Sequence, residues 1–408
     1  MKCRHCGANL TSPLVDLGSA PPSNAFLTEE ALRAPEKWYP LRVLVCTECW
    51  LVQTEDYANR ADLFSADYAY FSSFSTTWLE HAERYVATMV ERFNLGADSH
   101  IVEVASNDGY LLQYAKMRGI PCLGIEPTAS TAKVARGKGI EVFEEFFGVS
   151  QARHLAGIGK IADLTVANNV LAHVPDINDF VAGFALLLKP DGVATFEFTH
   201  LIKLVQDNLF DTIYHEHFSY FSLTAVKRIF EANGLVVFDV DELPTQGGSL
   251  RVYAQRRDSG RRQQSTRITE LLERERIAGV DDIDFYGGMQ VRMNRVKNEF
   301  ITFLIDASRS GKTVAAYGAA AKGNTLLNYA GVRPDLIHFV SDRNPAKQGR
   351  YMPGSRIPIV AEDRLKAERP DYVVILPWNL RHELMLQLNY VREWGGRFVT
   401  AVPNLTVQ

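Results

Sequence analysis

The chain has 408 residues, too many for one ordinary core at roughly 150 residues per domain. Apolar residues make up 46% and charged residues 23%, which excludes a disordered or fibrous chain. Forty-four basic against forty-eight acidic residues leave a net charge of −4, so no global field draws the chain to nucleic acid or to an anionic membrane. No apolar run reaches the ~18–20 residues that span a bilayer. The opening Met1-Lys2-Cys3-Arg4-His5-Cys6 lacks the apolar stretch of a signal peptide. The expectation is a cytoplasmic protein.

Four of the five cysteines form two pairs, Cys3-Arg4-His5-Cys6 and Cys46-Thr47-Glu48-Cys49. A two-residue gap lets two thiolates bind one ion. Two such pairs complete the tetrahedral four-sulfur shell that zinc favours and leave no position open for a substrate. Disulfides fit a long intracellular chain poorly. His5 is a bystander that could replace one thiolate, and Cys122 reads as an inert buried thiol. With Pro21-Pro22 and Pro40 and few helical patterns, this first segment reads as small and loop-rich. Its metal would supply much of its folding energy.

An amphipathic helix is expected from Thr76 to Phe93. Apolar strands follow at Ile101–Val104, Pro121–Ile125, Leu164–Ala167, Val193–Phe198, Leu235–Val240 and Leu250–Ala254. Helices at Gly109–Met117, Ser130–Lys138 and Ile177–Leu188 separate several of these strands, which predicts a mostly parallel sheet covered on both faces. No helix joins the last two strands, so one edge should be an antiparallel hairpin. This is the plan of the common S-adenosylmethionine-binding methyltransferase domain. The first strand runs into Glu103-Val104-Ala105-Ser106-Asn107-Asp108-Gly109, which keeps only the last glycine of the usual Glu-x-Gly-x-Gly-x-Gly loop. The second ends at Glu126-Pro127, where an acid can accept the two ribose hydroxyls of a nucleoside cofactor. The first turn lacks the pyrophosphate glycines that a dinucleotide would need.

Together with the cysteine pairs, the Glu103–Gly109 loop, Asn169-Val170-Leu171-Ala172-His173-Val174-Pro175-Asp176 and Tyr214-His215-Glu216-His217 resemble the nucleotide-sugar C-methyltransferases. Those enzymes methylate C3 or C5 of nucleoside-diphosphate 4-keto-6-deoxysugars. The resemblance covers the whole chain and implies an α/β protein of three domains. These are a small zinc-binding domain (1–66), a central class I, Rossmann-like methyltransferase domain (67–256) and a C-terminal Rossmann-like α/β domain (257–408) that helps hold the nucleotide sugar. It implies S-adenosylmethionine contacts from Tyr68, Glu103, Ala105, Ser106, Asn107, Asp108, Glu126, Pro127 and Asn169. Tyr70 is expected at the substrate.

A carbanion equivalent is needed to form a carbon–carbon bond from a methyl donor. A ketone supplies one by losing its α-proton to a base, while donors hold the enolate oxygen. His217 is the expected base because imidazole titrates near neutrality. Glu216 would orient it or touch the sugar, Tyr214 would donate to the keto oxygen, and His173 would stand beside them. The His215-Glu216-His217 spacing does not match a His-Glu-x-x-His metal site.

Between Gln255 and Phe300 the charged, helical pattern reads as a connecting helix that includes Arg256, Arg257, Arg261 and Arg262. A second strand–helix alternation follows, with strands at Val314–Tyr317, Leu336–Ser341, Val373–Leu376 and Phe398–Val402. Its first turn, Gly318–Thr325, is neither a P-loop nor a dinucleotide loop. Free amides at that helix start suit a diphosphate, with Lys322, Asn324, Asp342 and Lys347 as expected substrate contacts. The partner expected is a nucleoside-diphosphate 4-ketosugar, with neither nucleic acid nor membrane involved. A monomer is the simpler expectation. The competing readings are an O- or N-methyltransferase of small molecules and a non-catalytic zinc-stapled binding protein.

Overall fold

The computed structural model describes residues 1–57 and 71–408, so Tyr68 and Tyr70 lie outside the described residues. The helix Thr76–Phe93 opens where the Ser75 hydroxyl caps the Trp78 amide and closes at Asn94 in the left-handed region, φ +50°. It buries His81, Ala82, Tyr85, Val86 and Met89 along one stripe. That stripe covers one face of a seven-stranded sheet. Across the sheet the strands run Leu235–Leu243, Ser249–Arg256, Leu188–Thr199, Ala162–Asn168, Ile101–Val104, Cys122–Ile125 and Glu141–Phe143. The last five are parallel, and Ser249–Arg256 pairs antiparallel with both of its neighbours. The expected hairpin therefore forms the edge, and its second strand inserts inside the first. The order turns back on itself between Ile101–Val104 and Ala162–Asn168, and such a reversal opens a crevice at the strands' carboxyl ends.

The C-terminal sheet runs Ile359–Val360, Val340–Ser341, Val314–Tyr317, Tyr372–Ile375, Arg397–Thr400 and Thr406–Val407, with only the last strand antiparallel. The strand expected over Leu336–Ser341 is reduced to two residues. The connecting helix begins only at Thr266. Arg257 and Arg262 lie before it and donate to the carbonyls of Glu231 and Asp191, and Arg256 pairs with Asp258. These arginines tie down loops.

The first segment departs most from expectation. It has the expected loops but also a sheet that the sequence reading did not foresee. Ser12–Ala20, Tyr39–Val45 and Val52–Thr54 form an antiparallel sheet, and a fourth strand, Ser219–Tyr220, comes from the middle of the chain. The sheet's apolar side chains have no core of their own. Leu14, Val43 and Val52 pack with Phe210, Met293 and Leu376, whereas Leu44 and Leu51 pack with Phe221 and Phe230. The sheet is thus cemented to both other sheets.

Both cysteine pairs adopt the same turn. The amide of Gly7 bonds to the Cys3 carbonyl at 3.0 Å and that of Trp50 to the Cys46 carbonyl at 2.9 Å, with φ of +73° and +63° at the two turn residues. Sulfur pairs Cys3–Cys49 and Cys6–Cys46 lie 3.5 Å apart, and all four sulfurs fall within 4.8 Å of one another. A disulfide would be near 2.05 Å. Tetrahedral sulfurs at about 2.3 Å from zinc would be about 3.8 Å apart, so these side chains fit the ion. Bonding to Cys49 draws the Cys3 thiol far down, to about 4, and the same contact pushes Cys49 up. The cluster shares protons that a divalent cation would replace. His5 faces away and bonds to Asn178 at 2.8 Å.

Purified protein should carry about one zinc per chain. Cys46→Ser should release the metal and lower the melting temperature, as metal analysis and thermal unfolding would show. Metal-free protein with four oxidised cysteines in a thiol titration would overturn this assignment.

Candidate active site

A cavity of about 370 Å³ opens at the carboxyl ends of the parallel strands, and all three sheets contribute to its wall. The strand Ile101–Val104 delivers the loop that lacks glycines. Ala105 and Asn107 occupy the two missing glycine positions and still adopt left-handed backbone, φ +59° and +49°, followed by Gly109 at +76°. The loop keeps the shape that glycines normally allow, at a cost of about 1–2 kcal/mol for the alanine. The turn is held rigidly: Ala105 donates to the Ile125 carbonyl at 2.8 Å, and the Asn107 side chain accepts from the Ser72 amide at 2.9 Å.

Glu126 closes the next strand with its carboxylate buried at the cavity. Its Oε2 accepts the Asn107 amide at 2.9 Å, while Oε1 accepts the Thr128 amide at 2.9 Å and the Thr128 hydroxyl. Burial raises this carboxyl above its ordinary value, against the pull of those donors. The Thr131 hydroxyl is a further donor to this carboxylate, so its acceptor positions are filled by side chains and amides of the chain itself. A ribose diol would displace the Thr128 and Thr131 hydroxyls, so the site fits a nucleoside cofactor. Pro127, Asn169, Phe146 and Phe147 stand on the same wall. Asn169 is left-handed, φ +54°, and its amide bonds to the Glu197 carbonyl at 2.7 Å.

Opposite lies the segment Tyr214–His217. His217 Nδ1 donates to the Thr212 carbonyl at 2.7 Å, which puts the lone pair on Nε2, and there the Tyr214 hydroxyl donates at 2.7 Å. The His173 ring meets His217 edge-on at 4.6 Å between centroids. Burial pushes His217 well below its ordinary value, with His173 and Lys322 adding to the fall, and burial brings His173 to about 4. The expectation that His217 titrates near neutrality is therefore corrected: a dry pocket keeps both rings uncharged at pH 7. His215 points elsewhere, with its ring nitrogen 3.2 Å from the carbonyls of Tyr39 and Pro40.

The C-terminal wall is formed by Ala320, Ala321, Lys322, Lys347, Pro377, Asn379 and Leu380. Lys322 donates to Gln246 at 2.8 Å and to Asn379 at 3.4 Å, and its ammonium lies over the Trp378 ring. Burial lowers that ammonium to about 8. Other expected contacts are not on the cavity wall. The Ala319 amide, ahead of the helix start, is taken by Asp342 at 2.7 Å, and Asp342 also accepts the Asn344 amide. Asn324 is fully buried inside its helix. Glu103 and Ser106 are buried behind the loop, and Asp108 accepts from Ser73 and faces Lys138 at 3.8 Å. Sequence reading missed Asn24, Trp78, Gln246 and Asn379, which line the cavity. No local motif marks them.

Comparison with known proteins covers the whole chain. Residues 3–64 match a putative zinc binding domain, residues 78–240 a methyltransferase domain, and residues 244–403 a C-methyltransferase C-terminal domain. The C-methyltransferase NovU of Streptomyces niveus is 34% identical over 402 residues, which cover 98% of this chain and 95% of the relative. Among solved structures, magnesium protoporphyrin IX methyltransferase (ChlM) from Synechocystis with bound S-adenosylmethionine is similar at 16% identity, with a TM-score of 0.34, over 44% of this chain and 79% of that one. An S-adenosylmethionine-dependent methyltransferase from Mesorhizobium loti is similar at 16% identity and a TM-score of 0.35, over 44% of this chain and 100% of that one. The protein is an S-adenosylmethionine-dependent methyltransferase with a four-cysteine zinc site. More narrowly, the chain belongs to the three-domain C-methyltransferase family. No helix among the described residues is long and apolar enough to cross a membrane.

Glu126→Ala should weaken S-adenosylmethionine binding by about 1–3 kcal/mol, measured by calorimetry, because it removes the diol acceptor and unpins Asn107. An unchanged dissociation constant would remove Glu126 from the cofactor site.

A second outcome concerns pH. The unfolded chain protonates His173 near pH 6.5, and the folded one only near 4. The folded-state value is depressed, so this residue's contribution is fully present above the unfolded value and is lost as pH falls from about 6.5 to about 4. Relative to His173→Gln, wild-type stability in denaturant titrations should fall by about 1.4 kcal/mol per pH unit inside that window. A constant difference across it would show that the ring is charged in the fold.

Proposed function

We propose that this enzyme methylates the carbon next to the keto group of a nucleoside-diphosphate 4-keto-6-deoxysugar, through an enolate, in cytoplasmic deoxysugar biosynthesis. The observation that carries the reading is the Tyr214–His217 pair, bonded at 2.7 Å in the same cavity as Glu126. Its geometry suits proton abstraction beside a carbonyl. A ketone oxygen placed at Tyr214 takes over the phenolic hydroxyl and frees the His217 lone pair. The adjacent α-proton then moves to Nε2, and the electron pair of the broken C–H bond delocalises onto the oxygen that Tyr214 holds. When bound, S-adenosylmethionine supplies the electrophilic methyl group.

The depressed basicity of His217 fits this order of events. A lone imidazolium is costly in this pocket, but one formed beside a developing enolate is half of an ion pair. Thr212 fixes the ring so that only Nε2 can act. Lys322, on the far wall, adds positive charge on the side where the oxygen becomes anionic, and Lys347 contributes a second cation for an anionic substrate. Asn324 and Asp342 enter this reading only as supports of the turn that carries Lys322.

His217→Asn should bind cofactor and substrate nearly normally and lose turnover by about 10²–10⁴-fold. It should also stop exchange of the sugar's α-proton with deuterated water, which isolates abstraction from methyl transfer. Wild-type product should carry the new methyl on carbon by NMR. A methyl found on oxygen or nitrogen, or wild-type exchange in the variant, would defeat the reading.

A further inference from the structure

The first sheet and the catalytic segment meet at one contact that the metal site does not explain. Pro21–Leu27 leaves the strand Ser12–Ala20 and crosses to the C-terminal sheet, where Leu27 and Tyr351 exchange two backbone bonds of 3.0 and 2.9 Å. The Phe26 ring lies under the Lys347 ammonium at 5.2 Å. Fixed at both ends, this strap carries Asn24 into the cavity wall. There its Nδ2 donates to both oxygens of Glu216, at 2.9 and 2.7 Å. Glu216 is only 1% exposed.

We infer that Asn24 is a positioning residue for catalysis: it holds the buried Glu216 carboxylate fixed in plane at the substrate, so the N-terminal domain supplies a working part of the site. The inference rests on the proposed role of Tyr214–His217 as the place where the substrate reacts. An amide NH₂ that spans both oxygens is satisfied only by an acceptor on each side. A carboxylate offers an acceptor on each oxygen, and the Asn24 amide bridges the two. A carboxylate so held accepts hydrogen bonds and donates none, which suits the hydroxyls of a sugar. Asn24 is also tied through the strap to Lys347 on the C-terminal wall. Any shift of the first domain would therefore reach both Glu216 and the far wall.

Asn24→Ala and Asn24→Asp test this in full-length, zinc-loaded protein. Asn24→Ala should lower kcat/KM roughly 10- to 100-fold, as expected for a lost bond to a charged group. Zinc content and S-adenosylmethionine affinity should not change. Asn24→Asp is nearly isosteric but sets two carboxyls face to face, so its acidic limb in kcat/KM should move to higher pH. In a double-mutant cycle on residual turnover, Asn24→Ala should have no further effect in a Glu216→Gln background if it acts through Glu216. An additive loss, or an unshifted acidic limb in Asn24→Asp, would overturn the inference. If Glu216→Gln and Asn24→Ala both retain wild-type rates while His217→Asn is dead, the inference fails and the proposed function stands. If wild type does not methylate carbon, the proposed function itself fails.

Discussion

The pairing of two residues, Ser219 and Tyr220, into the N-terminal sheet is the contact on which the site depends. They follow His217 after one intervening residue, Phe218, and pair with Gln53 and Val52. The segment before them is pinned on both sides. Thr54 donates its hydroxyl to the His217 carbonyl at 3.0 Å and its amide to the Phe218 carbonyl, and the Phe218 amide bonds to Ala172 at 2.7 Å. Arg4, inside the first cysteine turn, donates to the carbonyls of Phe218 and Thr54 at 2.7 and 2.8 Å. The metal turn thus touches the backbone of the catalytic segment directly. A loop set over strand ends would ordinarily be free to move. Here strand pairing and a buried guanidinium hold it in place.

Dryness is the second constraint, and it follows from the first. Segments attached to all three sheets enclose the cavity, and burial is the largest influence on the shifted groups in it. It raises Glu126 and lowers His173, His217 and Lys322. Behind the wall, Asp211 is raised to about 6 and accepts the Trp378 indole at 2.6 Å. Neutral histidines and a cation in a medium of low dielectric favour a reaction that creates negative charge on oxygen.

Features carried by neighbouring residues were legible in the sequence. The two cysteine turns, the strand–helix alternation, the edge hairpin and the helix Thr76–Phe93 follow from spacing and periodicity. The loop Glu103–Gly109 was legible despite its missing glycines because asparagine tolerates left-handed backbone and the surrounding bonds hold Ala105 there. Features that depend on distant partners were not legible. Nothing near Pro21–Leu27 announces that it crosses to Tyr351, and nothing near Ser219 that it joins a sheet begun some 160 to 200 residues earlier. His217 was assigned an ordinary basicity because burial is a property of the fold and is absent from the motif.

These contacts also bear on why a methyltransferase of this kind carries a zinc domain at all. The central sheet with its cofactor crevice is complete without the first sheet, and the metal has no open position for chemistry. The proposed reaction needs more than a cofactor crevice. It needs a base held in one tautomer and a carboxylate held in place. Thr54 and Arg4 hold the catalytic backbone, Asn24 holds Glu216, and the strap that bears Asn24 also reaches the far wall at Tyr351 and Lys347. The first sheet lacks a core of its own, so the four-cysteine site fixes its shape well enough for those contacts to be made. Structural zinc and catalytic geometry are then two consequences of one requirement: a small sheet must act as a rigid clamp between two larger ones.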